Sequence, residues 1–182
     1  GEQFGSMVSI SNEKILIGSK NTNTTISSAA YLFEKTGTYP TAWMESKKFT
    51  NDAIQNYGNS VAIDQSVIVI SGTSSSGSSV FKSSVLDIYE FVSNSWTNSA
   101  SFYDESSYNE GYGSSIALDS THGIVVVGAP TRTMDETNAN PVTNAGAVFV
   151  YTKNEGTWAS TQILANTGVD SSPGDKIGSA VS

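Results

Sequence analysis

Four short segments of this chain share one pattern: an apolar or aromatic residue, then glycine, then a strand-like alternation. They are Phe4-Gly5-Ser6-Met7-Val8-Ser9-Ile10, Tyr57-Gly58-Asn59-Ser60-Val61-Ala62-Ile63, Tyr112-Gly113-Ser114-Ser115-Ile116-Ala117-Leu118 and Ile177-Gly178-Ser179-Ala180-Val181-Ser182. Their glycines lie 53, 55 and 65 residues apart. A second glycine closes an apolar run in each full unit: Gly18 after Ile15-Leu16-Ile17, Gly72 after Val67–Ser71 and Gly128 after Ile124–Val127. These sit 13, 14 and 15 residues beyond the first glycine, and each unit carries one tryptophan, Trp43, Trp96 or Trp158, at offsets of 38, 38 and 45. Landmarks that keep their order through a fixed period mean one supersecondary unit per repeat, each burying its faces against its neighbours.

Within a unit the pattern predicts four strands. In the first, Val8 and Ile10, Val61 and Ile63, and Ile116 and Leu118 alternate with polar or small residues, the period of a half-buried strand. The second is a continuous β-branched run, as in a strand covered on both faces. Short turns at Ser11–Glu13, Asp64–Ser66 and Asp119–Gly123 join the two into a hairpin. The third is aromatic-rich (Tyr31–Phe33, Val85–Phe91, Ala147–Tyr151), and the fourth runs from near the tryptophan to about Phe49, Phe102 and Leu164. No segment has a sustained helical period.

Four strands in this span is the arithmetic of a propeller blade. The expected fold class is all-β: three four-stranded antiparallel propeller-type blades plus the first strand of a fourth, open as a single chain. The boundaries are 1–56, 57–111 and 112–176, with 177–182 starting a following blade. The residues expected to carry the repeat are Phe4, Gly5, Gly18, Trp43, Tyr57, Gly58, Gly72, Trp96, Tyr112, Gly113, Gly128, Ala129, Pro130, Trp158, Ile177 and Gly178.

Composition narrows the partners. A net charge of −8, with Lys47-Lys48 as the one adjacent basic pair, argues against nucleic acid, which needs clustered cations. Charged residues are only 14% of the chain, yet aromatics reach 10%, so the polar excess reads as loops on a folded core rather than disorder. There is no cysteine, so neither a disulfide framework nor a thiolate metal site exists. No run approaches the roughly 20 apolar residues of a membrane helix.

Several of these residues spell a known motif. Phe4-Gly5 is its FG, Gly128-Ala129-Pro130 its GAP, Gly146–Tyr151 its following strand and Gly156-Thr157-Trp158 the turn into its last. The sequence thereby resembles the FG-GAP repeat, the blade of integrin α-subunit propellers and of many surface proteins. The resemblance spans the whole chain and is fullest in the third unit. Departures are Tyr-Gly twice and Ile-Gly once for FG, with Gly18-Ser19-Lys20 and Gly72-Thr73-Ser74 for GAP. It implies an extracellular or cell-surface protein. Calcium-binding blades of this family carry an Asp-x-Asp-x-Asp-Gly loop between their first two strands. Here each of those turns holds at most one carboxylate, while a hard cation takes six or more oxygens, so no calcium or other cofactor is expected there.

The remaining oxygen-rich candidates for a metal are Asp135, Glu136, Asn138 and Asn140 in one long loop, and Asp170 and Asp175 flanking Ser171–Gly174. Both stretches read more simply as Asx-rich turns. His122, the one histidine, sits in a turn; Asp104-Glu105 reads as loop surface; and no Gly-x-Ser-x-Gly elbow occurs, so no catalytic residue is expected. Asn23-Thr24-Thr25 is the one N-glycosylation sequon.

Both ends fall at the same phase of the repeat, and closed propellers have four to eight blades. The expected partners are therefore copies of the chain or further blades of it, together with extracellular protein or glycan. The expected function is a non-enzymatic structural or adhesive module, in one form the repeating unit of a surface fibre assembled end to end. The alternative is a ligand-recognition segment of a larger integrin-like propeller, using loops such as Thr131–Asn144, and the third reading is an enzyme domain on a propeller scaffold.

Overall fold

In the computed structural model, which describes residues 2–21, 28–37, 42–54, 56–73, 84–104, 111–133, 142–165 and 172–182, each apolar run pairs with the runs beside it in sequence. The first sheet holds β1 (Glu2–Ser11), β2 (Lys14–Asn21), β3 (Ala29–Thr36) and β4 (Ala42–Thr50). The middle sheet holds β5 (Ser60–Asp64), β6 (Val67–Thr73), β7 (Ser84–Val92) and β8 (Ser95–Asp104). The third holds β9 (Ser115–Asp119), β10 (Ile124–Ala129), β11 (Ala147–Asn154) and β12 (Thr157–Ala165). Every sheet is an antiparallel meander in sequence order, and the sheets do not close on one another. The described residues contain no helix.

Turn chemistry accounts for the tight connections. Val92 pairs with Ser95 across Ser93-Asn94, and Asn154 with Thr157 across Glu155-Gly156. Both central residues of each turn have positive φ, the left-handed geometry whose twist matches the flanking strands. The third and fourth strands carry a bulge at the same repeat position in all three sheets: Leu32/Phe33, Ile88/Tyr89 and Val150/Tyr151. A bulge there adds local twist to each outer strand in the same way.

The sheets stack face to face. One core joins Leu16, Ala30, Leu32 and Phe49 of the first sheet to Val61, Ile63, Ile68, Ile70, Val85 and Trp96 of the middle one. A second joins Val69, Leu86 and Ile88, on the opposite face of the middle sheet, to Val125, Val127, Tyr151 and Trp158 of the third. The inner strands lie side by side, β1 against β5 and β5 against β9.

Two expectations change. The second strand is buried throughout only in β6, where Val67–Gly72 are all buried; β10 alternates, and in β2 Ile15 and Ile17 are only half-buried. Among the described residues only the middle sheet has a neighbour on each side. The segment 177–182 is not a strand: it makes one parallel bridge, Ile177 to Gly146. In each sheet the first strand is held by the second, and no such strand lies beside this segment among the described residues.

Candidate functional site

The chemistry of this chain is concentrated where one sheet meets the next. Each sheet has a leading face, carrying its tryptophan and the aromatic of its Xaa-Gly pair, and an opposite trailing face. That aromatic folds onto the third strand of its own sheet: Phe4 sits edge-on to Tyr31 and Phe33, with ring centroids 5.4 and 6.2 Å away, and Tyr112 edge-on to Phe149 at 5.0 Å. The preceding sheet then inserts an aromatic from its last strand. Phe49 packs on Tyr89 at 4.7 Å and Trp96 at 6.5 Å, and Phe102 on Tyr151 at 4.4 Å. Aromatic pairs in these geometries add to the burial of their area.

Glycine makes the approach close enough. Gly58, Gly113 and Gly178 have φ of +89, +81 and +84, a conformation that L side chains rarely adopt. A Cβ on Gly58 would fall onto the Ala29 carbonyl, and one on Gly178 onto the Ala147 carbonyl. Reciprocally, a Cβ on Gly18 or Gly128 would fall onto the carbonyl oxygen of Gly58 or Gly178. The turns at Gly58, Gly113 and Gly178 are thus each wedged into a notch on the trailing face of the sheet before them.

In the middle unit the notch is made by Ser71, not Gly72. Gly18 pairs with Met7, Ser71 with Ser60 and Gly128 with Ser115, so Ser71 holds the position that Gly18 and Gly128 hold. Its hydroxyl donates to the Gly113 carbonyl at 2.6 Å and accepts from the Ser60 amide at 3.1 Å. A hydrogen bond replaces the bare Cα–carbonyl contact. Gly72 has another reason to be glycine: a Cβ would lie 2.5 Å from Ile54 Cγ2 and 3.0 Å from Tyr57 Cα.

Polar groups pin the register between sheets. Along the inner strands Ser9 Oγ accepts from the Ile63 amide at 3.1 Å, and Ser11 Oγ from the Gln65 amide at 3.0 Å. Asp64 then accepts from the Ser120 amide at 2.9 Å and its hydroxyl at 2.7 Å. Further out, Glu90 receives the Trp158 indole N–H at 2.7 Å and the Lys153 ammonium at 2.8 Å. Burial pushes the Glu90 carboxyl up, but those hydrogen bonds outweigh it and hold its pKa below the usual range.

One polar set lies inside the first core. Buried Asp87 takes the repeat position of Tyr31 and Phe149, and accepts from Tyr57 Oη at 2.8 Å, Ser101 Oγ at 2.6 Å and Asn51 Nδ2 at 3.3 Å. Tyr57 Oη also meets Tyr89 Oη at 2.9 Å. Burial, with the Asp87 charge next to it, pushes the Tyr57 phenol far up. In the third unit the hydroxyls of Tyr112 and Tyr151 bond each other, and burial pushes Tyr151 up to about 12.

Gly18 and Gly58, Ser71 and Gly113, and Gly128 and Gly178 are therefore brought together in pairs, while Phe4, Gly5 and Trp43 lie on a face that no sheet covers among the described residues. Ala129 is buried at the end of β10, and Pro130 packs by Gly111, where an added Cβ would meet its ring at 3.3 Å. The other candidates are not gathered. Asp175 accepts the Ser172 amide at 2.8 Å, closing its own exposed turn. Asp119 holds the His122 ring at 2.6 Å on the surface, and the His122 hydrogen bonds lower its pKa. Glu13 pairs with Lys35 at 3.0 Å. Among the described residues no three His, Cys, Asp or Glu side chains are grouped to hold a metal. Asn23, Glu105, Asp135, Glu136, Asn138, Asn140 and Asp170 lie outside the described residues. No protein-family model matches the chain, and no curated protein matches it.

Proposed function

We propose that this chain is a non-enzymatic structural or adhesive module of FG-GAP-type propeller blades, working outside the cell or on its surface through its blade faces. The observation that carries this reading is the repeated wedge: the turns at Gly58, Gly113 and Gly178 enter the notches at Gly18, Ser71 and Gly128 with nearly the same φ. Sequential four-stranded meanders stacked with their first strands adjacent are what propeller blades require. Glu90 and Asp64 accept from the neighbouring sheet, and Asp87 accepts from Tyr57 and Ser101 of its own unit.

An antibody against the chain, applied to intact source cells and imaged by electron microscopy, tests it. Label on the outer surface, along continuous material, is the expected result. Label that needs permeabilised cells would overturn the surface assignment.

A further inference from the structure

The two interfaces between sheets share their apolar plan but differ in where they bury charge. Phe49 and Phe102 are the rings that reach onto the following sheet, and two residues beyond them stand Asn51 and Asp104. At the first interface the acid lies on the following sheet. Asn51 Nδ2 donates to buried Asp87 at 3.3 Å, Tyr57 and Ser101 also donate to it, and Tyr89 lies beside it.

At the second interface the acid lies on the preceding sheet. Asp104 and Arg132 are both buried, and the Arg132 guanidinium stands over Phe149, the repeat equivalent of Asp87, at 5.0 Å. After burial and the Tyr112 hydrogen bond, the Asp104 charge pushes the Tyr151 phenol up and the Arg132 charge pulls it down. Acid and base therefore both stand near that hydroxyl. The rim differs in the same way: Lys153, which meets Glu90, pairs with Trp158 across its hairpin, and Phe91 pairs with Trp96 at that position in the middle sheet.

We propose that these buried charges fix which sheet stacks on which. A middle sheet stacked on the middle sheet of another copy during folding would set Asp104 against Asp87 and Glu90 against Phe91. A third sheet stacked directly on the first would set Arg132 beside Asn51, with no carboxylate at that position. Apolar faces that repeat do not distinguish right from wrong neighbours, whereas a buried polar mismatch does. Like charges brought together disfavour the wrong pairing by a factor of roughly ten or more.

Isosteric exchanges in the full chain test this. Asn51→Asp sets a second carboxylate against Asp87 within the native interface, and should unfold at lower urea than wild type at pH 7. The deficit shrinks as pH falls, because one proton shared by two facing carboxylates removes their repulsion. Adding Asp87→Asn to Asn51→Asp reverses the pair and regains most of the loss. Stacking order is read by diluting unfolded chains from urea at rising concentration and sizing the products by chromatography. Asp87→Asn and Asp104→Asn each remove the clash of a middle-on-middle stack, so larger species should rise about tenfold over wild type. Tyr57→Phe loosens the same core but keeps both acids, and should give no such rise. An Asn51→Asp variant as stable as wild type would overturn the proposal, as would a deficit that persists in acid. So would a double variant no more stable than Asn51→Asp, or Asn variants that yield no more of the larger species than Tyr57→Phe.

Discussion

Replacing Gly113 by alanine tests the wedge directly, because Gly5 is its repeat equivalent and supplies an internal control. An added Cβ at Gly113 lies 2.6 Å from Ser71 Cβ and 3.1 Å from its Oγ, against an ordinary carbon–carbon separation of about 3.5–4.0 Å. Overpacking of that kind costs about 1–3 kcal/mol. The φ of +81 adds about 1–2 kcal/mol for any L residue. Gly5→Ala meets the backbone cost alone, since φ is +87 but nothing lies within 4 Å. The expected losses are therefore about 2–5 kcal/mol for Gly113→Ala and about 1–2 kcal/mol for Gly5→Ala. Against a usual domain stability of about 5–15 kcal/mol the first is a large fraction. Urea unfolding at dilute, monomeric concentration, followed by circular dichroism, measures both. Equal losses, or a larger loss for Gly5→Ala, would refute the wedge.

Further outcomes follow from the interface chemistry. Glu90→Gln weakens the bonds from Lys153 and Trp158 and should cost about 1.5–3 kcal/mol, the range for hydrogen bonds to a charged group. Because the folded Glu90 pKa lies below its unfolded value, this stability is present above the ordinary glutamate range and is lost as pH falls through the folded pKa. Acid unfolding of the wild type should therefore be steeper than that of the Gln variant; parallel curves would contradict it. Tyr57→Phe leaves buried Asp87 short of a donor and should cost about 1–3 kcal/mol, whereas Tyr103→Phe, on a half-exposed ring, should cost much less in the same urea assay. In alkali, Tyr57, Tyr112 and Tyr151 hold protons that the unfolded chain gives up near pH 10. Their stabilisation is complete below that pH and is lost as pH rises toward and past 12. Phenolate absorbance should appear in two stages, the second coinciding with unfolding; a single stage with the fold intact would exclude these buried phenols.

The strands were legible because alternation and turn chemistry are local. Val8/Ile10, Val61/Ile63 and Ile116/Leu118 all lie in first strands, and the last strands end near Phe49, Phe102 and Leu164. The glycine pattern sets Gly72 level with Gly18 and Gly128, one residue away from the true register equivalent, Ser71. Glycine identity drew the alignment, while strand register depends on pairing partners, and pairing sets Ser71 opposite Ser60. The offset of 13 residues shared by Gly18 and Ser71 was the available signal. Asp87 and Glu90 carry no signal of their own in the sequence, because a carboxylate in an aromatic-rich strand shows its role only when the fold brings it to Tyr57, or to Trp158 and Lys153 of the neighbouring sheet. The difference between Trp43 and its two equivalents is likewise invisible in sequence, where all three sit at comparable offsets.

Amide hydrogen exchange, read strand by strand, tests the central claim that these sheets are stabilised by stacking on one another through repeated faces. The middle sheet is covered on both sides, so the amides of β6, Val67–Thr73, should be the slowest in the chain, opening only with global unfolding. The amides of β2 and β10, each in a sheet with one open face, should exchange faster through fraying of the stack from its ends. Equal protection of the three second strands, or β6 exchanging faster than its equivalents, would contradict the account.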